Sequence, residues 1–448
     1  MLDFAEKEFL VDLFLGLAQS GSSYCVMRNH KTLPYSHGGS DLDILVAPQS
    51  RQAVLNAIDS AMACNNAVRL GISFAPDFFK VYVFGYNSAF DNGWWGLCID
   101  INLGLYFKGL PLWDEYTSLP IEQYNAINVL TPGFAGVLGV LKEVLNNSEL
   151  PQRYLSDARV AAANDWHKIQ KLLAPMGPDA LEKIHQLILG NPKKPHLSCT
   201  AIQRSFLHYR LKKAPASFFA GRLGGLFSKI ARYFKPSGIV IAILGTDGAG
   251  KSTIIDAIKP ALDEATHNAT VLRHLRPNLL PPLGRLKGKS NIPAGPVTNP
   301  HGSSASGFLG SLVRLVYATA NYVLGYWLET RLQIAKQPTV VIFDRYAYDM
   351  VLDQKRFRIN LSPALVRFFT RVAPKPDLIL CLYGSPEVLA SRKQELPLEE
   401  VTRQVDALKA FAYREPRAIL VNTEQSIEAC RDQILQAIVT YCDNRARQ

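Results

Sequence analysis

The sequence predicts an α/β chain: a C-terminal unit with a parallel sheet, preceded by an α+β unit and a helical region. Three observations predict it. Residues 239–244 (IVIAIL) form an unbroken apolar run rich in β-branched residues, the pattern of a strand buried on both faces. Similar runs recur at 339–343 (TVVIF), 376–383 (PDLILCLY) and 418–421 (AILV), separated by helix-length segments, as in a parallel sheet. The first 110 or so residues instead mix strand patterns at 24–29, 41–47, 78–86 and 96–103 with helical patterns at 1–20 and 50–66.

A chain of 448 residues has room for two or three domains, each able to bury a core. The expected division is 1–125 (α+β), 126–200 (helical extension), 201–236 (basic connector) and 237–448 (parallel-sheet unit). Seven scattered cysteines with no C-x-x-C spacing suggest neither a disulfide framework nor a zinc site, and fit a reducing compartment. The N-terminus places Asp3, Glu6, Glu8 and Asp12 where a signal peptide would carry positive charge. The best membrane-span candidate, 308–328, contains Arg314 and several small or polar residues, so a core helix is expected. A cytoplasmic protein, at most peripheral to a membrane, is the expectation. The formal net charge is +11. Between Lys183 and Thr246 there are 11 basic residues and no acid, which accounts for the whole excess. A local anionic partner or membrane surface fits that distribution; a general nucleic-acid binder does not.

In the first unit, the loop KTLPYSHGGS leads into DLDILVA at 41–47. Asp41 and Asp43 are two residues apart on one strand and project from one face. Asp100, within GLCIDINL, would share that face if the strands pair. Three convergent carboxylates at such a place suit two Mg²⁺ ions and chemistry at a nucleotide α-phosphate. GGSDLDILV with the later Asp100 strand resembles the nucleotidyltransferase superfamily, although Met27-Arg28-Asn29 stands where that family places a Gly-Ser pair. Recognition of a sugar or sugar nucleotide without turnover is the alternative.

Residues 112–192 read as mostly helical. In the connector, Phe219, Leu223, Leu226, Phe227, Ile230, Tyr233 and Phe234 fall on one helical stripe, with Arg222, Lys229, Arg232 and Lys235 off it. Docking of the stripe on a neighbouring domain is expected, with membrane contact through the basic 203–235 helix as the alternative. Pro236-Ser237-Gly238 ends the helix.

The strand at 239–244 runs into GTDGAGKST. Gly245, Gly250, Lys251 and Ser252 fill the spacing G-x-x-x-x-G-K-[ST], with Gly248 and Thr253 in the same turn. Glycines let backbone N–H groups surround phosphate oxygens, the lysine reaches the β- and γ-phosphates, and the serine hydroxyl ligates Mg²⁺. A helix runs to about 264, and a strand is expected at 269–275. The Pro/Gly/Ser-rich stretch 277–310 carries Arg285, Lys287 and Lys289, and reads as a loop enclosing an anionic acceptor. TVVIF delivers Asp344-Arg345-Tyr346 to the edge of the sheet where ligands bind. Asp344 suits Mg²⁺ or a base, and Arg345 suits a phosphate. The segment 385–395 (SPEVLASRKQE) places Arg392 and Lys393 where a lid would meet transferring charge.

Over 237–448, GTDGAGKST, FDRYAYD, PDLILCLY with SPEVLASRKQE, and AILVNTEQSIEACRDQI resemble, in order, the thymidylate kinase family of P-loop kinases. The resemblance implies ATP and Mg²⁺. It places Asp247 near the acceptor, Asp344 and Arg345 on the acceptor phosphate and Mg²⁺, and Arg392 on the transferred group. This chain departs from the family at His274-Leu275-Arg276-Pro277, where no glutamate stands, and in the run YDMVLDQKRFR with Asp349, Asp353, Arg356 and Arg358. The acceptor expected is a small anionic molecule, a nucleoside monophosphate or a sugar or sugar phosphate, and these departures weigh against dTMP. Fused chains of this shape resemble proteins found with bacterial surface-polysaccharide genes, which points to a sugar, sugar phosphate or glycolipid. A bifunctional kinase/nucleotidyltransferase, an ATP-gated switch and a homodimer are open alternatives.

Overall fold

The computed structural model describes residues 4–75, 77–113, 119–190, 199–275, 279 and 307–446. The chain divides into two compact units, Met1–Arg232 and Tyr233–Gln448.

In the first unit, nine strands are described: β1 (Tyr24–Val26), β2 (Leu42–Val46), β3 (Ala67–Phe74), β4 (Phe78–Tyr86), β5 (Trp94–Asn102), β6 (Tyr106–Phe107), β7 (Leu110–Pro111), β8 (Ile121–Tyr124) and β9 (Ile127–Leu130). Seven form one sheet in the order β3-β4-β5-β2-β1-β9-β8; β6 and β7 pair as a separate hairpin. β2 runs parallel to β5 and β1 parallel to β9; the other pairings are antiparallel. Because side chains alternate across a strand, β2 serves two cores. Leu42, Ile44 and Val46 pack with helices α1 (Lys7–Gln19) and α2 (Arg51–Cys64). Leu45 faces the other way, into a core built with α3 (Pro132–Asn146), α4 (Gln152–Asn164), α5 (Trp166–Leu172), α6 (Pro178–Leu189) and α7 (Cys199–Lys213). The helical region therefore covers a face of the sheet.

Two sequence readings change. The boundary at 125 cuts the β8–β9 hairpin, and β9 joins the sheet beside β1. In the segment read as helical from 112, the first helix among the described residues begins at Pro132. The hairpin's turn residues, Asn125 and Ala126, both have φ > 0, the geometry of a type I′ hairpin. Ala126 takes a place where glycine is usual, which hides the turn. Beyond α7, helix α8 (Pro215–Phe234) completes the connector. Its Phe218, one position off the expected stripe, packs into the core. Phe219, Leu223, Leu226, Phe227 and Ile230 stay 46–67 % exposed.

The second unit holds five parallel strands in the order β11-β12-β10-β13-β14: β10 (Ile239–Gly245), β11 (Thr270–His274), β12 (Val340–Asp344), β13 (Leu378–Tyr383) and β14 (Ala418–Asn422). β10 is buried at every position, as its unbroken apolar run requires. α9 (Lys251–Thr266) follows it. The core helix expected over 308–328 is Phe308–Gly325, followed by a π-turn at Tyr326–Thr330 and a helix at Arg331–Lys336. Among the described residues, no helix is long and apolar enough to cross a membrane.

Candidate functional site

β10 is the central strand, with β12 on one side and β13 on the other. The strand order reverses there, and a crevice opens beyond its C-terminal end. The loop 245–250 occupies that crevice. Gly248 has φ +85°, and a Cβ on it would lie 2.5 Å from the Leu389 carbonyl oxygen, so no larger residue fits. Gly250, at φ +74°, precedes the first turn of α9. Lys251 opens that helix and folds back, its Nζ donating to the carbonyls of Gly245 and Thr246, each at 2.9 Å. Burial, and then the Arg345 guanidinium, push the Lys251 ammonium down to about 7. The Thr246 hydroxyl is buried and makes no hydrogen bond among the described residues, while Ser252 and Thr253 are exposed at the helix start. The α9 N-terminus therefore joins a cation to unpaired backbone donors, an arrangement suited to phosphate.

Asp344 ends β12, in register with Ile243 of β10. Its Oδ2 lies 3.0 Å from Nδ1 of His274, its register partner on β11. Burial opposes the Asp344 charge, but His274 and Lys251 hold its carboxyl below the usual value. Its Oδ1 is buried with no hydrogen bond among the described residues. That orphaned oxygen, with the Ser252 hydroxyl nearby in the chain pattern, fits a Mg²⁺ ion that keeps most of its water.

Arg345 sits at φ +73°, a conformation uncommon for a non-glycine residue, and is 5 % exposed. Its guanidinium donates to Asp247 at 2.5 Å and to Asp349 at 3.5 Å. Arg356 donates to the other oxygen of Asp247 at 2.8 Å. Burial would raise the Asp247 carboxyl, but Arg345, Arg356 and Lys251 outweigh it and hold it at about 2.

The structure thus gathers Asp247, Lys251, Asp344 and Arg345 in one crevice with the loop glycines. The guanidinium of Arg392 instead donates to the Thr423 carbonyl at 3.1 Å. Its neighbour Lys393 is the residue beside the loop: its Cβ lies 3.5 Å from a Cβ built on Gly248. Sequence reasoning assigned no role to His274, Asp349 or Arg356, although all three lie in segments it marked as unusual. Arg285, Lys287 and Lys289, in the loop expected to enclose the acceptor, lie outside the described residues.

In the first unit, Asp43 and Asp100 are register partners on β2 and β5, so with Asp41 they share the face that the helical region covers. Cations meet them there. Asp43 is 0 % exposed, ion-paired to Nε of Arg28, and receives Lys142 at 3.2 Å. Lys80 lies 2.6 Å from Asp100 and 4.0 Å from Asp41. Burial opposes the Lys80 charge, but Asp100 and Asp41 hold its pKa above the ordinary lysine value. Cys98 donates to Asp100 at 3.4 Å, and ligand atoms of Asp41, Cys98 and Asp100 lie within 4.8 Å of one another. A pair of Mg²⁺ ions on Asp41, Asp43 and Asp100 does not fit this arrangement. Three basic side chains already meet the three carboxylates, and Asp43 lies outside the close group that Asp41, Cys98 and Asp100 form.

No family model matches this chain, and no curated protein matches it. Among solved structures, the chain is similar to thymidylate kinase from Ehrlichia chaffeensis at 14 % identity, over 45 % of this chain and 100 % of that one, with a TM-score of 0.33.

Proposed function

We propose that this chain is an ATP-dependent phosphotransferase that moves the γ-phosphoryl group to a small anionic acceptor, a nucleoside monophosphate or a sugar or sugar phosphate. The observation that carries the reading is Lys251 folded into its own loop beside the orphaned oxygen of Asp344, at the end of the central strand. In this reading the loop amides and Lys251 hold the β- and γ-phosphates. Mg²⁺, when bound by Asp344 and Ser252, supplies charge neutralisation at the phosphate oxygens. Arg345 and Arg356, held by Asp247, form the positive side of the acceptor pocket, and release from Asp247 frees them for the acceptor phosphate. Catalysis of this kind is mostly positioning and charge stabilisation.

The test is γ-labelled ATP with a panel of nucleoside monophosphates, sugars and sugar phosphates, with mass spectrometry locating the new phosphate. Transfer to one class and its loss in Lys251→Ala, with the thermal transition kept, is expected. Undiminished transfer in Lys251→Ala refutes the reading.

A further inference from the structure

The first unit contains a cavity of about 860 Å³ that the proposed phosphoryl transfer does not use. This is an ordinary size for a small-molecule site. β4, β5, α3 and the β6–β7 hairpin contribute to it, and α8 closes one side. The backbones of α8 and the hairpin touch: a Cβ on Gly221 would lie 2.3 Å from the Gly109 carbonyl oxygen. Arg232 of α8 donates to the Ser73 hydroxyl at 3.2 Å.

Two chemistries meet in the lining. Six cations, Lys80, Lys108, Lys142, Arg222, Lys229 and Arg232, face two carboxylates, Asp77 and Asp100. Lys80 and Lys142 are engaged by Asp100 and Asp43. Arg222 and Lys229 make no ion pair or hydrogen bond among the described residues. Unmatched cations in a recess call for an anion. Much of the remaining lining is aliphatic, with Leu112, Leu138 and Leu141 on one side and Leu223 and Leu226 on α8. Leu223 and Leu226 are also 53 % exposed each, and Phe227 and Ile230 carry the apolar stripe onward at 67 % and 46 % exposure. The cavity therefore opens along an apolar edge.

We infer that this cavity binds a lipid phosphate: Arg222 and Lys229 hold the phosphate, and the aliphatic chain lies among the leucines. A free phosphate would leave the leucines unused, and a neutral lipid would leave the two cations unmatched. The apolar edge of α8 gives a chain a continuous path into the recess.

The experiment is calorimetric titration of the full chain with dihexanoyl phosphatidic acid, kept below micelle formation. The comparators are dihexanoylglycerol, inorganic phosphate and uridine monophosphate. Saturable binding is expected, with each comparator weaker by about tenfold or more. Arg222→Gln with Lys229→Gln should weaken the lipid phosphate by about tenfold or more. Gly225 lines the cavity, and a Cβ on it meets no atom within 4 Å. Gly225→Leu therefore fills the recess without a clash and favours the helix, so binding should be lost while the melting temperature holds or rises. Lys251→Ala should bind as the wild type does. The inference is overturned by failure of the lipid phosphate to bind, by a comparator binding equally well, or by wild-type affinity in both cavity variants. Loss of binding in Lys251→Ala overturns it too, by moving the site to the phosphate loop.

Discussion

If Lys251 is the phosphate-binding cation, ATP binding should draw a proton from solvent. Without ligand, the ammonium is buried and lies near Arg345, and its pKa is pushed down to about 7. At about pH 8 such a group is roughly 90 % neutral, and returning it to an ordinary lysine value near 10.4 beside an anion takes up about 0.9 proton. The assay is calorimetry of ATP binding in Tris and in HEPES, whose ionisation enthalpies differ. The dependence of the observed heat on the buffer counts the protons. At about pH 6 the lysine is already charged in the free protein, so its uptake should nearly vanish. His274→Asn removes the imidazole beside Asp344 and should leave the Lys251 contribution. The same shift has a stability sign. Between about pH 7 and pH 10 the unfolded chain holds this proton and the folded chain does not, so the group makes the unliganded protein more stable as pH rises. Proton uptake near zero at pH 8, or uptake undiminished in Lys251→Met, would refute the reasoning.

The other predictions concern charge and backbone. Asp247→Asn should destabilise the second unit by about 2 kcal/mol at neutral pH, the value of holding its carboxyl at about 2 rather than 3.8. Its folded pKa is depressed, so this contribution is present above about pH 4 and lost as pH falls through about 2; denaturant unfolding at several pH values checks it. Gly248→Ala should abolish ATP binding, measured by calorimetry, because a Cβ would meet the Leu389 carbonyl oxygen at 2.5 Å and the φ of +85° is strained by about 1–3 kcal/mol for other residues. Asp43→Asn should lower the unfolding free energy of the first unit by about 3 kcal/mol, because it leaves Arg28 and Lys142 facing a neutral group. Lys80→Met should raise Mg²⁺ affinity at Asp41 and Asp100 above that of the wild type, measured by calorimetry, because it removes the ammonium that lies against both carboxylates.

What was legible in the sequence were features tied to one local constraint. A strand buried on both faces must be apolar throughout, so IVIAILG could be read directly. A loop that wraps phosphate needs left-handed residues, so Gly250 could be read from spacing, with Gly248 in the same turn. Asp344 follows from its place at the end of TVVIF. The illegible features depend on register or on distant partners. Arg356 reaches Asp247 from 109 residues away along a segment without periodicity. His274 meets Asp344 only because β11 and β12 pair in that register. The β8–β9 hairpin hid behind an Ala in a left-handed turn. The carboxylates make the sharpest case. Their two-residue spacing placed Asp41 and Asp43 on one face, and the parallel pairing of β2 with β5 added Asp100 to it. Neither fact says what lies opposite. Lys142 comes from α3, 99 residues beyond Asp43, and Lys80 from the neighbouring β4. Spacing identifies the face on which charges gather; only the elements packed against that face determine whether they are left for a metal ion or neutralised by the chain itself.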